Sequence, residues 1–177
     1  MRLFLSWKHI ISLCFVLLHL SLSIAHATVV PKQHRLLIIN SYNEGAPWSQ
    51  TLITPIMLQT SSIEDVSADL VHINGTFIRN DSLYNQMEEG IFQRYEKNKP
   101  DYLVLIGSIA FTLRDRIQKE WGDIPMILIA NEDTYAPREY YFTGRSINMA
   151  DNKVAPLNDI REQYNFTFIE TPDMYKE

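Results

Sequence analysis

The sequence predicts an α/β fold in three layers: a parallel sheet of about five strands with helices on both faces. Three observations carry this. Leu36 to Ile39, Tyr102 to Ile106 and Ile124 to Ala130 are apolar runs without polar alternation, the pattern of strands buried on both faces. Stretches with apolar residues three and four apart lie between the later runs, as the crossover helices of a βαβαβ series require. The single cysteine, Cys14, lies close to the N-terminus, so the fold beyond it rests on a hydrophobic core and not on disulfides.

The chain opens with a basic head (Arg2 and Lys8), an apolar run from Ile10 to Ile24, and Ala25-His26-Ala27, the order of a secretory signal peptide. The run falls short of the ~20 residues with which a helix crosses the hydrocarbon core. Cleavage after Ala27 and export are therefore expected, and Leu13 in place of a small residue before Cys14 argues against a lipoprotein anchor. Residues 1–27 hold two of the 16 basic residues and none of the 21 acidic ones, so the remaining 150 residues carry a net charge of −7. Such a chain suits neither nucleic acid nor anionic lipid. Without Cys14 there is no thiol catalysis, no cysteine-bound zinc and no cysteine-linked haem.

The first strand follows His34 and ends in the turn formers Asn40-Ser41-Tyr42. The helix expected next, Trp48 to Gln59, contains Pro55, whose missing N–H and ring clash cost about 3 kcal/mol in a helix interior. A kink near Thr51 to Pro55, or two short helices, is expected there. Val66 to Asn74 reads as the second strand. A helix capped by Asp81 or Ser82 then runs to Lys97, with Tyr84, Met87, Ile91 and Tyr95 on one face and Pro100 as the stop. Gly107-Ser108 leads from the third strand into a helix with Ile109, Ala110, Leu113, Ile117 and Trp121 on one face, closed by Gly122. The fourth strand carries Pro125 at its start, where a missing donor is tolerated. Past Asn131 the pattern loosens, and only Asn165 to Glu170 alternates as a further strand. The expected division is thus an α/β lobe over 28–133 and a loosely packed tail over 134–177.

In open parallel sheets ligands sit beyond the carboxyl ends of the strands, where the strand order reverses. Asn40, Ser41, Tyr42, Trp48, Gly107, Ser108 and Asn131 are the candidate ligand-binding residues on that rule, a polar rim with two aromatic surfaces suited to a small polar ligand. Turn chemistry alone also places Asn, Ser and Gly at strand ends, and Ser108 reads equally as a helix N-cap. Dinucleotide, P-loop and hydrolase-elbow patterns are absent, so neither cofactor nor metal is expected. His34 precedes the first strand, away from the expected site, and His72 lies within a strand, so no serine–histidine pair is in prospect.

Leu36 to Ser49, with Asn40-Ser41-Tyr42 and Pro47-Trp48-Ser49, together with Lys99 to Gly107 and Asp123 to Asn131, resembles the periplasmic binding-protein-like domains of bacterial sensor histidine kinases and of ABC transporter substrate-binding proteins. The resemblance implies a type I periplasmic-binding lobe that closes over its ligand with a second lobe through a hinge. It also implies partners: that second lobe, or a membrane-bound sensor or transporter. The third loop departs from the pattern, with Gly107-Ser108-Ile109-Ala110 where the family often has acidic residues. Two such lobes need about twice a ~150-residue domain, so the expectation is a first lobe only, a truncated product, without the kinase domains of its relatives and not itself an enzyme. The competing class is a small secreted flavodoxin-like enzyme using Ser108, Glu132 and Asp133.

Overall fold

In the computed structural model residues 33–131, 134–142 and 155–171 are described, and the expected leader of residues 1–27 lies outside them. The elements run β1 (His34–Asn40), α1 (Pro47–Ser61), β2 (Val66–His72), a 3-10 turn (Gly75–Phe77), α2 (Asp81–Tyr95), β3 (Tyr102–Ile106), α3 (Ser108–Phe111), α4 (Arg114–Trp121) and β4 (Met126–Ala130). After them come β5 (Thr134–Tyr135), α5 (Glu139–Phe142), β6 (Ala155–Pro156), a second 3-10 turn (Leu157–Ile160) and β7 (Phe166–Glu170).

Five strands form one all-parallel sheet in the order β2-β1-β3-β4-β7, and β5 and β6 form a separate antiparallel pair. From β1 the first connection moves to one side and the later ones to the other. Crossovers of one hand then force α1 onto one face and the remaining helices onto the opposite face, and the packing has this form. Leu37, Ile39, Leu103, Leu105, Met126, Leu128 and Phe166 pack with Tyr84, Ile91, Phe92, Phe111 and Ile117 of α2 to α4. The alternate residues Ile38, Val104, Ile106 and Ile129 pack under Ile53, with Leu52, Ile56 and Met57 of α1 beside it. The three-layer architecture is thus the one the apolar runs require.

Local differences have physical reasons. α1 is a single helix with no break at Pro55. Pro55 and Thr51, whose carbonyl loses its donor, both lie on the exposed side, where water meets that carbonyl. The cap of α2 is Asn80 and not Asp81 or Ser82: its Oδ1 accepts the Leu83 N–H at 3.0 Å. The expected single helix after Gly107 is two, because the N–H groups of Thr112 and Leu113 bond three residues back, to Ile109 and Ala110, in a tighter turn. That turn still directs Leu113 into the core, fully buried.

The largest departure concerns the segment set apart as a tail. β7 pairs with β4 from Met126↔Phe166 to Ala130↔Glu170 as the fifth strand of the sheet. Phe166, Leu157 and Ile160 are buried in the main core. The boundary expected at residue 133 therefore does not divide the sheet, and Gln33–Glu177 form one compact unit. Among the described residues no helix is long and apolar enough to cross a membrane.

Candidate functional site

The strand order reverses between β1 and β3, so the switch point lies where Asn40 to Tyr42 meet Gly107 and Ser108. All seven candidate residues lie on this carboxyl side of the sheet: Asn40 to Tyr42 after β1, Trp48 in the first turn of α1, Gly107 and Ser108 after β3, and Asn131 after β4. Glu132 and Asp133 fall outside the described residues.

Ser41 ties the loops together. Its N–H donates to the Ile106 carbonyl at 2.8 Å, its carbonyl accepts the Gly75 N–H at 2.8 Å, and its Oγ accepts the Ala110 N–H at 2.8 Å. The last bond caps α3 from another loop, doing the work expected of Ser108; the N-cap position itself is held by Gly107, which has no side chain to cap with. Gly107 adopts φ +82° and ψ 163°, a region open only to glycine. A Cβ there would stand 2.9 Å from the Cβ and Oγ of Ser41 and from a ring carbon of Tyr42. Gly75 is less constrained: a Cβ on it would meet the movable end of the Ile109 side chain and lie 3.2 Å from the Ser41 carbonyl oxygen.

Asn40 is fully buried. Its Oδ1 accepts the Tyr42 N–H at 3.3 Å, and its Nδ2 faces His72 Nδ1 at 2.9 Å, Ser49 Oγ at 3.2 Å and the Tyr42 carbonyl at 3.3 Å. Ser49 donates in turn to the Ala46 carbonyl at 3.1 Å. With Asn40 between them, Ser49 and His72 make no nucleophile–base pair.

Two groups emerge from the seven residues. Asn40, Ser41 and Gly107 are buried, with their polar groups bonded to neighbouring strands and loops, so they form the floor of the site. Tyr42, Trp48, Ser108 and Asn131 form its rim. The Tyr42 ring is 38 % exposed and meets Trp48 edge to face, with centroids 5.0 Å apart. Phe77, on the turn after β2, is 67 % exposed. Ser41 and Tyr42 fill the space over Gly107.

Sequence reasoning placed Gly75 in the Asn74-Gly75-Thr76 stretch at the end of the second strand and Ser49 in the Pro47-Trp48-Ser49 loop, but counted neither among the ligand contacts. The burial of Ser49 depends on how α1 docks against β1, and nothing in the Asn-Gly-Thr stretch signals the close approach of Gly75 to Ile109. Among the described residues no cluster of three His, Cys, Asp or Glu could hold a metal ion. Comparison of the chain with protein-family models, with curated proteins and with solved structures finds no match in any of the three.

Proposed function

We propose that the chain is the ligand-binding lobe of an extracytoplasmic sensing module, exported through its N-terminal leader and loaded with a small polar ligand at the carboxyl side of the sheet. The observation that carries this reading is the exposed Tyr42 ring, edge to face with the half-buried Trp48, above a buried floor at the point where strand order reverses. A planar or sugar-like face stacks on such rings, while Ser108 and Asn131 offer hydrogen bonds at the edge. The resemblance of the Asn40-Ser41-Tyr42 and Pro47-Trp48-Ser49 loops to binding-protein-like sensor domains supports the same reading. A sensor and a transporter component would use this surface alike and differ in the membrane partner they contact.

The sequence has three tryptophans, Trp7 in the leader region, Trp48 on the rim and Trp121 against Phe92 beneath α2. A Trp121→Phe variant with its leader removed therefore reports from Trp48 alone. Screening it against amino acids, sugars, nucleobases and dicarboxylates by fluorescence and thermal shift is expected to give a ligand that changes Trp48 emission. Its affinity should fall about tenfold or more in Tyr42→Ala, a loss of at least ~1.4 kcal/mol. A ligand bound with full affinity by Tyr42→Ala and Ser108→Ala would remove the site from this surface. Export is checked separately, by N-terminal sequencing of secreted protein, with Thr28 the expected first residue.

A further inference from the structure

The α1 face of the sheet is covered over only part of its width. α1 packs on Ile38, Val104, Ile106 and Ile129, but farther out Tyr102, Ile127 and Ile169 are 44 %, 39 % and 46 % exposed, and Ile63 at the end of α1 is 48 % exposed. With Ile56 and Thr60 they line a groove of about 530 Å³ beside α1. All-parallel sheets occur almost only with both faces covered. Three strands about 4.8 Å apart make a strip about 10 Å wide, the diameter of one helix. A five-residue strand is about 17 Å long, some three helical turns.

Charge selects the occupant. Glu64 and Asp65 follow Ile63, and Asp123 lies two residues before Pro125. All three acids are exposed, and none forms an ion pair with a described residue. The bases beside the groove in sequence are turned elsewhere, Arg35 to Asn98 and Lys99 to the Glu120 carbonyl. A second copy of the chain would bring the same three acids against these, which like-charge repulsion disfavours. We propose that the strip is a docking surface for a partner presenting one amphipathic helix, its apolar stripe on Tyr102, Ile127 and Ile169 and its flanks basic. This surface is separate from the ligand rim and does not depend on it.

Two labelled synthetic helices of about 18 residues, with one leucine stripe at i, i+3, i+4 and i+7 and flanks either of lysine or of glutamate, test this by fluorescence anisotropy with the purified chain. The lysine helix is expected to bind at least about tenfold more tightly than the glutamate helix. Ile127→Asp should abolish that binding although it adds negative charge, and Glu64→Lys with Asp123→Lys should narrow the gap between the peptides. Ile169→Ser on the edge strand repeats the first test should Ile127→Asp fail to fold. Equal binding of the two helices, or binding indifferent to both isoleucine variants, would overturn the proposal. So would a dimer in sedimentation that Ile127→Asp dissolves, since the occupant would then be a second copy.

Discussion

At the scale of single residues the candidate site divides by burial, and sequence shows only half of that division. Turn-forming residues at the ends of apolar runs were enough to locate Asn40, Ser41, Gly107 and Ser108 on one side of the sheet, because parallel strands must all end there. Which of them face a ligand depends on where α1, α3 and the turn after β2 press, a tertiary fact with no local signature. Gly107 is the sharpest case, since its positive φ and the Ser41 and Tyr42 atoms 2.9 Å from a would-be Cβ make it the contact point of two loops. Gly107→Ala should cost about 1–3 kcal/mol from backbone conformation alone. Urea unfolding should show a lowered midpoint with an unchanged slope. A change below about 0.5 kcal/mol, the size of an ordinary surface substitution, would mean that the loops relax freely and that the floor is not rigid.

Two elements behave differently from isolated helices. α1 contains a proline that propensity alone would use to break it, yet packing of Leu52, Ile53, Ile56 and Met57 on the sheet holds it continuous. Because Pro55 is exposed and fills no core space, Pro55→Ala should restore a donor to the Thr51 carbonyl and add up to the ~3 kcal/mol of stability that an interior proline costs, read as a higher melting temperature. A lowered melting temperature would show that the proline is accommodated without cost. α2 is held by two buried tyrosines: Tyr84 hydroxyl lies 2.8 Å from Thr112 Oγ, and Tyr95 donates to Asp69 at 3.0 Å. Burial, joined at Tyr95 by the Asp69 carboxylate, pushes both phenols up from 10.0 to about 12. The unfolded chain releases these protons near pH 10 while the folded chain retains them, so their contribution is complete below pH 10 and is lost as pH rises from there toward about 12. Stability measured across that window should fall, and Tyr84→Phe should flatten the decline; an identical decline in the variant would remove Tyr84 as its source.

For the whole molecule, the apolar runs at 36–39, 102–106 and 124–130 were sufficient to specify a parallel sheet, because a strand without alternation has no face to give to water. They could not show where the sheet ends. Phe166-Thr167-Phe168-Ile169 alternates like an exposed strand, since β7 is an edge strand whose α1-side residues Thr167 and Ile169 are exposed while Phe166 is buried against Phe111 with ring centroids 5.3 Å apart. The segment after β4 therefore reads as a departure from the domain, although β7 pairs with β4 as the fifth strand. If β7 belongs to the same cooperative unit, a cavity at Phe166 must be felt at the far side of the sheet. Phe166→Ala should cost about 3–5 kcal/mol, a large share of the ~5–15 kcal/mol that holds a typical domain. Native-state hydrogen exchange should then accelerate by a common factor at Leu128 and Ile129 in β4 and at Leu37 to Ile39 in β1, two strands away. Acceleration confined to Phe166–Glu170 and β4, with β1 unchanged, would instead mean that the fifth strand opens independently on a core complete without it.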